Sequence, residues 1–147
     1  MSGKEKFIIH TDGGSRGNPG PSAIGVVIED YDGSLKKEYS EFIGNTTNNE
    51  AEYQAVIFAL KKLKQLVGKD KSADAEVEVH MDSELAVKQL EGEYKLMDKK
   101  IQQFFVEIWN LKIGFGKVSF KHVPREKNKQ ADKLVNYALD KELNKLL

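Results

Sequence analysis

The sequence contains no cysteine, only three prolines, and no apolar run that approaches the ~20 residues needed to cross a membrane. The lack of cysteine excludes disulfide bridges and thiolate metal sites, and it is typical of proteins kept in a reducing compartment. The first residues also lack the apolar segment of a signal peptide. We therefore expect a cytoplasmic protein that does not associate with membranes.

An excess of either charge is absent too, because 23 basic residues balance 23 acidic residues. Two of the basic residues are arginines, Arg16 and Arg125, and the others are lysines. Arginine binds phosphate in a bidentate fashion that lysine cannot reproduce. A nucleic-acid partner would therefore have to be bound through the local placement of charge and not through a globally basic surface.

The first third of the chain predicts three apolar strands, over residues 5–12, 23–30 and 35–44, joined by short turns into an antiparallel meander. Thr47 and Glu50 then have the spacing of a capping box at the start of a helix. The remaining predicted elements are that helix up to Gly68, a polar connector at 69–75, a strand at 77–81, a helix at 83–91, a helix capped by Asp98, a strand at 118–123 and a last helix from Asn128. This order predicts one mixed α/β domain over residues 1–147.

Four carboxylates can be brought to one edge of the predicted sheet. Asp12 ends the first strand and Asp82 ends the fourth, and a strand–helix–strand crossover would make these strands parallel neighbours. Glu52 lies on the apolar, sheet-facing side of the first helix, and Asp132 lies in the first turn of the last helix. Ligands bind at the carboxyl edge of such sheets. We expect the four side chains to converge there, beside the glycine-rich stretch at 13–20.

Four ionised carboxylates repel one another, and burial penalises each charge further. A cation must compensate, and oxygen ligands without cysteine favour Mg²⁺ or Mn²⁺. Each acid also has a simpler interpretation when it is considered alone. Helix dipoles stabilise acids in first turns, as for Glu52 and Asp132, while Asp12 and Asp82 are also typical loop residues. The four acids together, beside the glycines, favour the metal site.

Four stretches, in the order of the chain, resemble the motifs of type 1 ribonuclease H. They read TDGGSRGNPGP at 11–21, TTNNEAE at 46–52, DS at 82–83 and NKQAD at 128–132. The resemblance covers nearly the whole chain and is closest to the short prokaryotic, archaeal-like branch. It implies a ribonuclease H-like fold, in which helices flank a five-stranded mixed sheet. It also implies hydrolysis of the RNA strand of RNA/DNA hybrids, leaving 5′-phosphate and 3′-hydroxyl ends.

The resemblance assigns metal binding to Asp12, Glu52, Asp82 and Asp132. Two Mg²⁺ ions, with Mn²⁺ as a substitute, would clamp the scissile phosphate about 3.5–4 Å apart. Asp12 is the expected bridge between them because it lies on the central strand. His122 resembles the family's loop histidine, which implies a role in moving protons or in product release. Alternatively, His122 only ends a strand.

The resemblance also implies which residues contact the hybrid. They are Gly13, Gly14, Ser15, Arg16, Asn18, Thr47, Asn48, Asn49, Ser83, Arg125 and Asn128. Contacts to the 2′-hydroxyl would distinguish RNA from DNA. Thr47 matches a position that holds a DNA-strand phosphate, and both arginines are expected phosphate contacts. For Asn128 we favour capping of the last helix over contact with substrate.

The sequence departs from the long bacterial enzymes of this family in two respects. Residues 95–116 predict a single amphipathic helix where those enzymes carry a basic, Trp-containing protrusion, and Glu84 stands where many relatives have glutamine. We expect a monomer that binds hybrid weakly and with strong salt dependence. Two alternatives stay open: a variant that also cuts double-stranded RNA, and a catalytically inactive module that only binds hybrid.

Overall fold

A five-stranded mixed β-sheet forms the centre of the computed structural model, which describes residues 5–146. Its strands are β1 (Lys6–Ser15), β2 (Gly20–Asp30), β3 (Lys36–Thr46), β4 (Glu76–Met81) and β5 (Lys117–His122). They lie in the order β3-β2-β1-β4-β5. The first three strands pair antiparallel, whereas β4 pairs parallel with both β1 and β5. The predicted fold class is therefore confirmed, with β1 as the central strand.

Helices cover both faces of this sheet. Within residues 5–146 they are α1 (Asn48–Val67), α2 (Lys69–Asp74), α3 (Glu84–Leu90), α4 (Lys99–Ile113) and α5 (Lys129–Lys145), with a 3₁₀ turn at Arg125–Lys127. The single helix predicted within residues 95–116 is confirmed as α4, whose Asp98 side chain accepts a hydrogen bond from the Ile101 amide at 3.0 Å. In the part of the chain that the structure describes, every helix is too short or too polar to cross a membrane.

Local sequence signals set both ends of α1. The Glu50 amide donates to Thr47 Oγ1 at 3.2 Å, and the Thr47 amide donates to Glu50 Oε1 at 3.2 Å, which confirms the predicted capping box. At the other end Gly68 has a φ of 87°, which favours glycine, and its amide donates to the Lys64 carbonyl at 2.8 Å. These two signals fix the position of Glu52 in the second turn of α1.

Several predicted boundaries were wrong: β2 begins at Gly20 instead of residue 23, and β3 ends at Thr46 instead of residue 44. β1 continues through Gly13 and Gly14 to Ser15, because Gly13 pairs with Ile24 and Gly14 with Ala23 on β2. The predicted polar connector at 69–75 contains the short helix α2, in which Ser72 is buried and its hydroxyl donates to the Gly68 carbonyl at 2.7 Å. The extension of β1 depends on pairing with β2, whereas the contact of Ser72 with Gly68 is local to α2.

The main apolar core lies between the sheet and helices α1, α3 and α4. Its fully buried side chains include Tyr53 and Leu60 from α1 and Val79 from β4. Burial of an aliphatic side chain of this size contributes roughly 1.5–3 kcal/mol. A smaller cluster on the opposite face packs α5 against β2 and contains Ala23 and Val135. The sheet is thus covered on both faces near the carboxyl end of β1.

Close packing at two glycines places α1 and α5 directly on the sheet. A Cβ atom on Gly13 would lie 2.3 Å from the Ala51 carbonyl carbon and 2.5 Å from the Glu52 amide nitrogen. A Cβ atom on Gly25 would lie 2.1 Å from the Ala131 carbonyl oxygen. Both contacts are with helix backbone, so any larger residue would displace the helix. The two acids predicted on helices, Glu52 and Asp132, are each adjacent to one of these contacts.

Candidate active site

Three carboxylates meet at the carboxyl edge of β1 and β4. Asp12, Glu52 and Asp82 each offer an oxygen within 4.8 Å of the other two. Asp12 is 7% exposed and Glu52 is 8% exposed. They come from β1, from α1 and from the residue that follows β4. The predicted convergence is therefore observed for these three.

Gly13 holds two of the three carboxylates. Its amide donates to Glu52 Oε1 at 2.9 Å and to Asp12 Oδ1 at 3.1 Å. This bifurcated contact is possible because the missing side chain lets α1 approach β1. The glycine predicted as a substrate contact thus also orients the acids.

The cluster is electrostatically unfavourable by itself. Burial, followed by the charges of Asp82 and Asp132, raises the pKa of Asp12 to about 8, against a smaller opposing effect of the Gly13 amide. Burial also raises the pKa of Glu52 well above its ordinary value, and Asp12 and Asp82 act in the same direction. Among residues 5–146, the ion pair recorded for this cluster joins Arg125 Nε to Asp82 Oδ2 at 3.9 Å, and the arginine side chain is 88% exposed. Such a mobile, solvated cation compensates little.

Asp132 approaches Asp12 from α5. It sits in the first turn of α5, is half-buried, and is close enough to contribute to the raised pKa of Asp12. It is not part of the group whose oxygens lie mutually within 4.8 Å among the described residues. Asp12 therefore occupies the centre of the site, with Glu52 and Asp82 nearby and Asp132 on a separate helix.

The donor set fits a hard divalent cation. All the ligand atoms offered are carboxylate oxygens, which Mg²⁺ and Mn²⁺ prefer, and the residues are buried where uncompensated anions are costly. The raised pKa values of Asp12 and Glu52 also indicate that the site lacks a compensating positive charge. Asp12, Glu52 and Asp82 are the residues that could hold such an ion, with Asp132 positioned to take part in a second site.

An open cleft of about 440 Å³ surrounds the carboxylates. Its lining contains most of the predicted site residues: Asp12, Gly13, Gly14, Ser15, Arg16, Asn48, Glu52, Asp82, Ser83, Arg125 and Asp132. It also contains Val135, Asn136 and Leu139 from α5, which the sequence analysis missed. They follow Asp132 by three, four and seven residues, which places them on its helical face, and that spacing was the available signal.

Several predicted substrate contacts also hold the elements around the site together. Asn18 Oδ1 accepts a hydrogen bond from the Asn48 amide at 2.9 Å, and Asn48 Oδ1 accepts one from the Ser15 amide at 2.9 Å. Asn49 Nδ2 donates to Gln89 Oε1 at 3.2 Å. Together with the capping residue Thr47, these contacts tie the β1–β2 loop and α3 to the start of α1.

His122 ends β5, where it is opposite Met81 of β4, and its side chain is exposed. It does not contribute to the cleft lining. A catalytic role for His122 stays a prediction.

Asn128 is the N-cap residue of α5, and its carbonyl accepts a hydrogen bond from the Asp132 amide at 3.1 Å. Its side chain makes no capping hydrogen bond to α5. Instead Nδ2 donates to the Thr11 carbonyl at 2.9 Å, and the residue is 1% exposed. Contact of Asn128 with a substrate stays a prediction. Asn128 connects the start of α5 to the strand position that precedes Asp12.

The sequence and the fold of this chain both match known proteins. The family model described as "Reverse transcriptase-like" matches residues 10–138. The chain is 51% identical to the structure of LC11-RNase H1 isolated from compost, with a TM-score of 0.86, and covers 98% of that chain with 94% of its own. The chain belongs to the type 1 ribonuclease H family. The predicted family is therefore confirmed.

Two further ribonucleases H are similar to this chain. The ribonuclease HI of Halobacterium salinarum is 43% identical over 129 residues, which are 88% of this chain and 62% of that protein. The present chain thus spans less than two thirds of the length of that curated relative. LC11-RNase H1 has also been solved in complex with an RNA/DNA hybrid; that structure is 48% identical, with a TM-score of 0.84, and the match covers 93% of this chain and 99% of that one.

Proposed function

We propose that this protein hydrolyses the RNA strand of RNA/DNA hybrids by two-metal-ion catalysis, giving 5′-phosphate and 3′-hydroxyl ends. The observation that carries the proposal is the group of buried carboxylates Asp12, Glu52 and Asp82, whose oxygens lie mutually within 4.8 Å in an open cleft. The complex of the related LC11-RNase H1 with an RNA/DNA hybrid supports this substrate class.

Asp12 is the carboxylate best placed to be shared by two cations. It offers an oxygen within 4.8 Å of oxygens of Glu52 and Asp82, and it also interacts with Asp132. Divalent cations bound there would polarise the scissile phosphate, lower the pKa of an attacking water and stabilise the leaving 3′-oxygen. The carboxylates themselves are held by the Gly13 amide and by the glycine contacts that seat α1 and α5. The protein therefore supplies a preorganised ligand set before substrate arrives.

The rim of the cleft offers groups for the hybrid. Ser15, Asn48 and Ser83 line it with polar side chains, and Gly14 leaves the main chain accessible. Arg125 is highly exposed and free to rotate toward a backbone phosphate. His122, exposed at the end of β5, is proposed to move protons or to assist product release. We further propose Mg²⁺ as the working metal, with Mn²⁺ as a substitute, and a cytoplasmic monomer.

Cleavage of an end-labelled RNA/DNA hybrid with Mg²⁺, Mn²⁺ or EDTA tests the proposal. Duplex RNA and duplex DNA run alongside, together with Asp12→Asn and the matched surface variant Asp70→Asn, because Asp70 is an exposed aspartate in α2. We expect metal-dependent cutting of the RNA strand by the wild type and by Asp70→Asn, and none by Asp12→Asn. Cutting of duplex RNA would establish the broader activity, whereas a folded wild type that binds hybrid without cutting it would establish an inactive binding module.

A further inference from the structure

Asp132 differs from the other three carboxylates in how it is held. Asp12 and Glu52 both accept hydrogen bonds from the Gly13 amide, at 3.1 and 2.9 Å. Asp132 projects from the first turn of a helix, is half-buried, and faces the negative charge of Asp12. When Asp12 is ionised, repulsion from it favours rotation of the Asp132 side chain toward solvent. A contact within α5 that resists this rotation would keep Asp132 beside Asp12.

Asn136 provides that contact from one turn further along α5. Its Nδ2 donates to Asp132 Oδ2 at 3.4 Å and to the Asp132 carbonyl at 3.2 Å. Residues four apart on a helix lie side by side, so the amide can reach both oxygens without distorting the backbone. Asn136 also lines the cleft, so the contact is made at the site itself.

The orientation of this amide is fixed by a residue from another element. Arg16, in the loop between β1 and β2, donates through Nη2 to Asn136 Oδ1 at 3.3 Å. Because guanidinium only donates, it selects the amide orientation that turns Nδ2 toward Asp132. Arg16 is itself paired through Nη2 with Asp140 Oδ1 at 2.7 Å. Asp132, Asn136 and Asp140 follow one another at four-residue spacing along α5.

We propose that Asn136 is a positioning residue that holds the Asp132 carboxylate for the metal site, and that Arg16, anchored by Asp140, keeps the Asn136 amide in the required orientation. This inference rests on the proposed function, since it assigns Asp132 to metal binding. It also gives Arg16 a role different from the expected phosphate contact, because the guanidinium is committed to two side chains of α5. A loop that borders the substrate cleft is thereby linked to the geometry of a carboxylate.

The first test compares Asn136→Ala with Asn144→Ala, an exposed asparagine of the same helix that lies two turns further on. Outer contacts of metal ligands typically change metal affinity or activity 10–100-fold. We expect Asn136→Ala to raise the Mg²⁺ concentration for half-maximal cleavage about tenfold or more, with the KM for hybrid changed by less than about twofold. Asn144→Ala should match the wild type in both. If the wild type cleaves hybrid and the two variants show the same Mg²⁺ dependence, the inference is overturned and the proposed function is left intact.

The second test needs no turnover. The side-chain amide NMR signals of Asn136, assigned by their loss in Asn136→Ala, should shift when Mg²⁺ is added to the wild type and should also shift in Arg16→Ala. Far-UV circular dichroism checks that each variant is folded, and Arg16→Ala keeps the test available if Asn136→Ala does not fold. Asn136 signals that stay unchanged in folded Arg16→Ala would exclude the proposed role of Arg16. A wild type without any hybrid cleavage would instead count against the proposed function.

Discussion

Asp12 occupies a position that opposes its own ionisation. Burial and the nearby charges of Asp82 and Asp132 together raise its pKa to about 8. The described contacts stabilise the charged form only weakly, because a single amide hydrogen bond from Gly13 favours it. Such a residue lowers the stability of the metal-free protein and becomes favourable only when a cation is bound. At the scale of single residues, Asp12 therefore lowers the stability of the metal-free protein and raises its affinity for a cation.

This conflict predicts a pH dependence of stability. The pKa of Asp12 in the folded state lies above its ordinary value of 3.8. At pH values between these two pKa values, the folded state therefore binds more protons than the unfolded state. The associated stabilisation is present below about pH 4 and is lost as the pH rises through about 8. We expect the Tm of the metal-free protein to fall over this range, and Asp12→Asn to raise the Tm at pH 8 by ~3 °C or more.

Thermal unfolding in EDTA and in Mg²⁺ at pH 5 and pH 8 measures both effects. Mg²⁺ should stabilise the wild type more at pH 8 than at pH 5, and should stabilise Asp12→Asn far less. Asp70→Asn, which is exposed, should follow the wild type. A metal-free Asp12→Asn curve parallel to that of the wild type would contradict this account of Asp12.

At the scale of elements, two glycines without side chains let two helices pack directly on the sheet. Gly13 lets α1 contact β1, and Gly25 lets α5 contact β2, each through helix backbone. The acids Glu52 and Asp132 follow directly after the contact residues Ala51 and Ala131. The spacing of the carboxylates therefore depends on how closely two helices approach the sheet.

Neighbouring glycines allow a sharp test of this dependence. A Cβ on Gly13 would lie 2.3 Å from the Ala51 carbonyl carbon, whereas one on Gly14 would meet a flexible Val135 methyl at 3.2 Å. We expect Gly13→Ala to cost ~3 kcal/mol or more in the free energy of unfolding and to abolish cleavage, while Gly14→Ala costs about 1 kcal/mol or less. Urea unfolding and hybrid cleavage compare the two variants. Similar losses in both would show that the approach of α1 is not limiting.

Elements set by neighbouring residues were predictable, and those set by distant partners were not. The start of α1 follows from Thr47 and Glu50 alone, and the start of α4 follows from Asp98. By contrast, the extension of β1 through Gly13 depends on pairing with β2, and Asn128 bonds the Thr11 carbonyl, 117 residues away in sequence. Three carboxylates were predictable because strand ends and helix faces follow from periodicity.

The contacts of Asn136 were not predictable for the same physical reason. Its link to Asp132 is local, but its orientation depends on Arg16, which is 120 residues away in the sequence. A helical spacing shows which residues share a face, and it does not show which loop packs on that face. The sequence thus predicts the chemistry of the site more fully than the contacts that orient it.

At the scale of the whole molecule, 23 basic residues balance 23 acidic ones, and the cleft itself is acidic. Long-range attraction of a polyanion is therefore weak, and binding must depend on a few contacts to phosphates. Arg125, exposed at the cleft, is the clearest candidate, because its ion pair with Asp82 is long, at 3.9 Å, whereas Arg16 pairs closely with Asp140, at 2.7 Å.

Salt dependence of hybrid binding measures these contacts. In an Asp12→Asn background, which we expect to prevent cleavage, the logarithm of the binding constant should fall linearly with that of the salt concentration. Arg125→Gln should reduce the slope by about one, whereas Lys69→Gln in α2 should leave it unchanged. An unchanged slope for Arg125→Gln would remove this arginine from the phosphate contacts.

The turn between β2 and β3 offers a practical consequence of the sheet topology. The Tyr31 amide donates to the Lys6 carbonyl at 2.8 Å, so this turn lies beside the first residue of β1, and Gly33 within it has open space around it. Six residues of extended strand, about 20 Å, separate Lys6 from Asp12. A fluorophore, a surface tether or an inserted peptide tag at this turn would therefore face away from an incoming hybrid, so the enzyme could be immobilised with its cleft accessible.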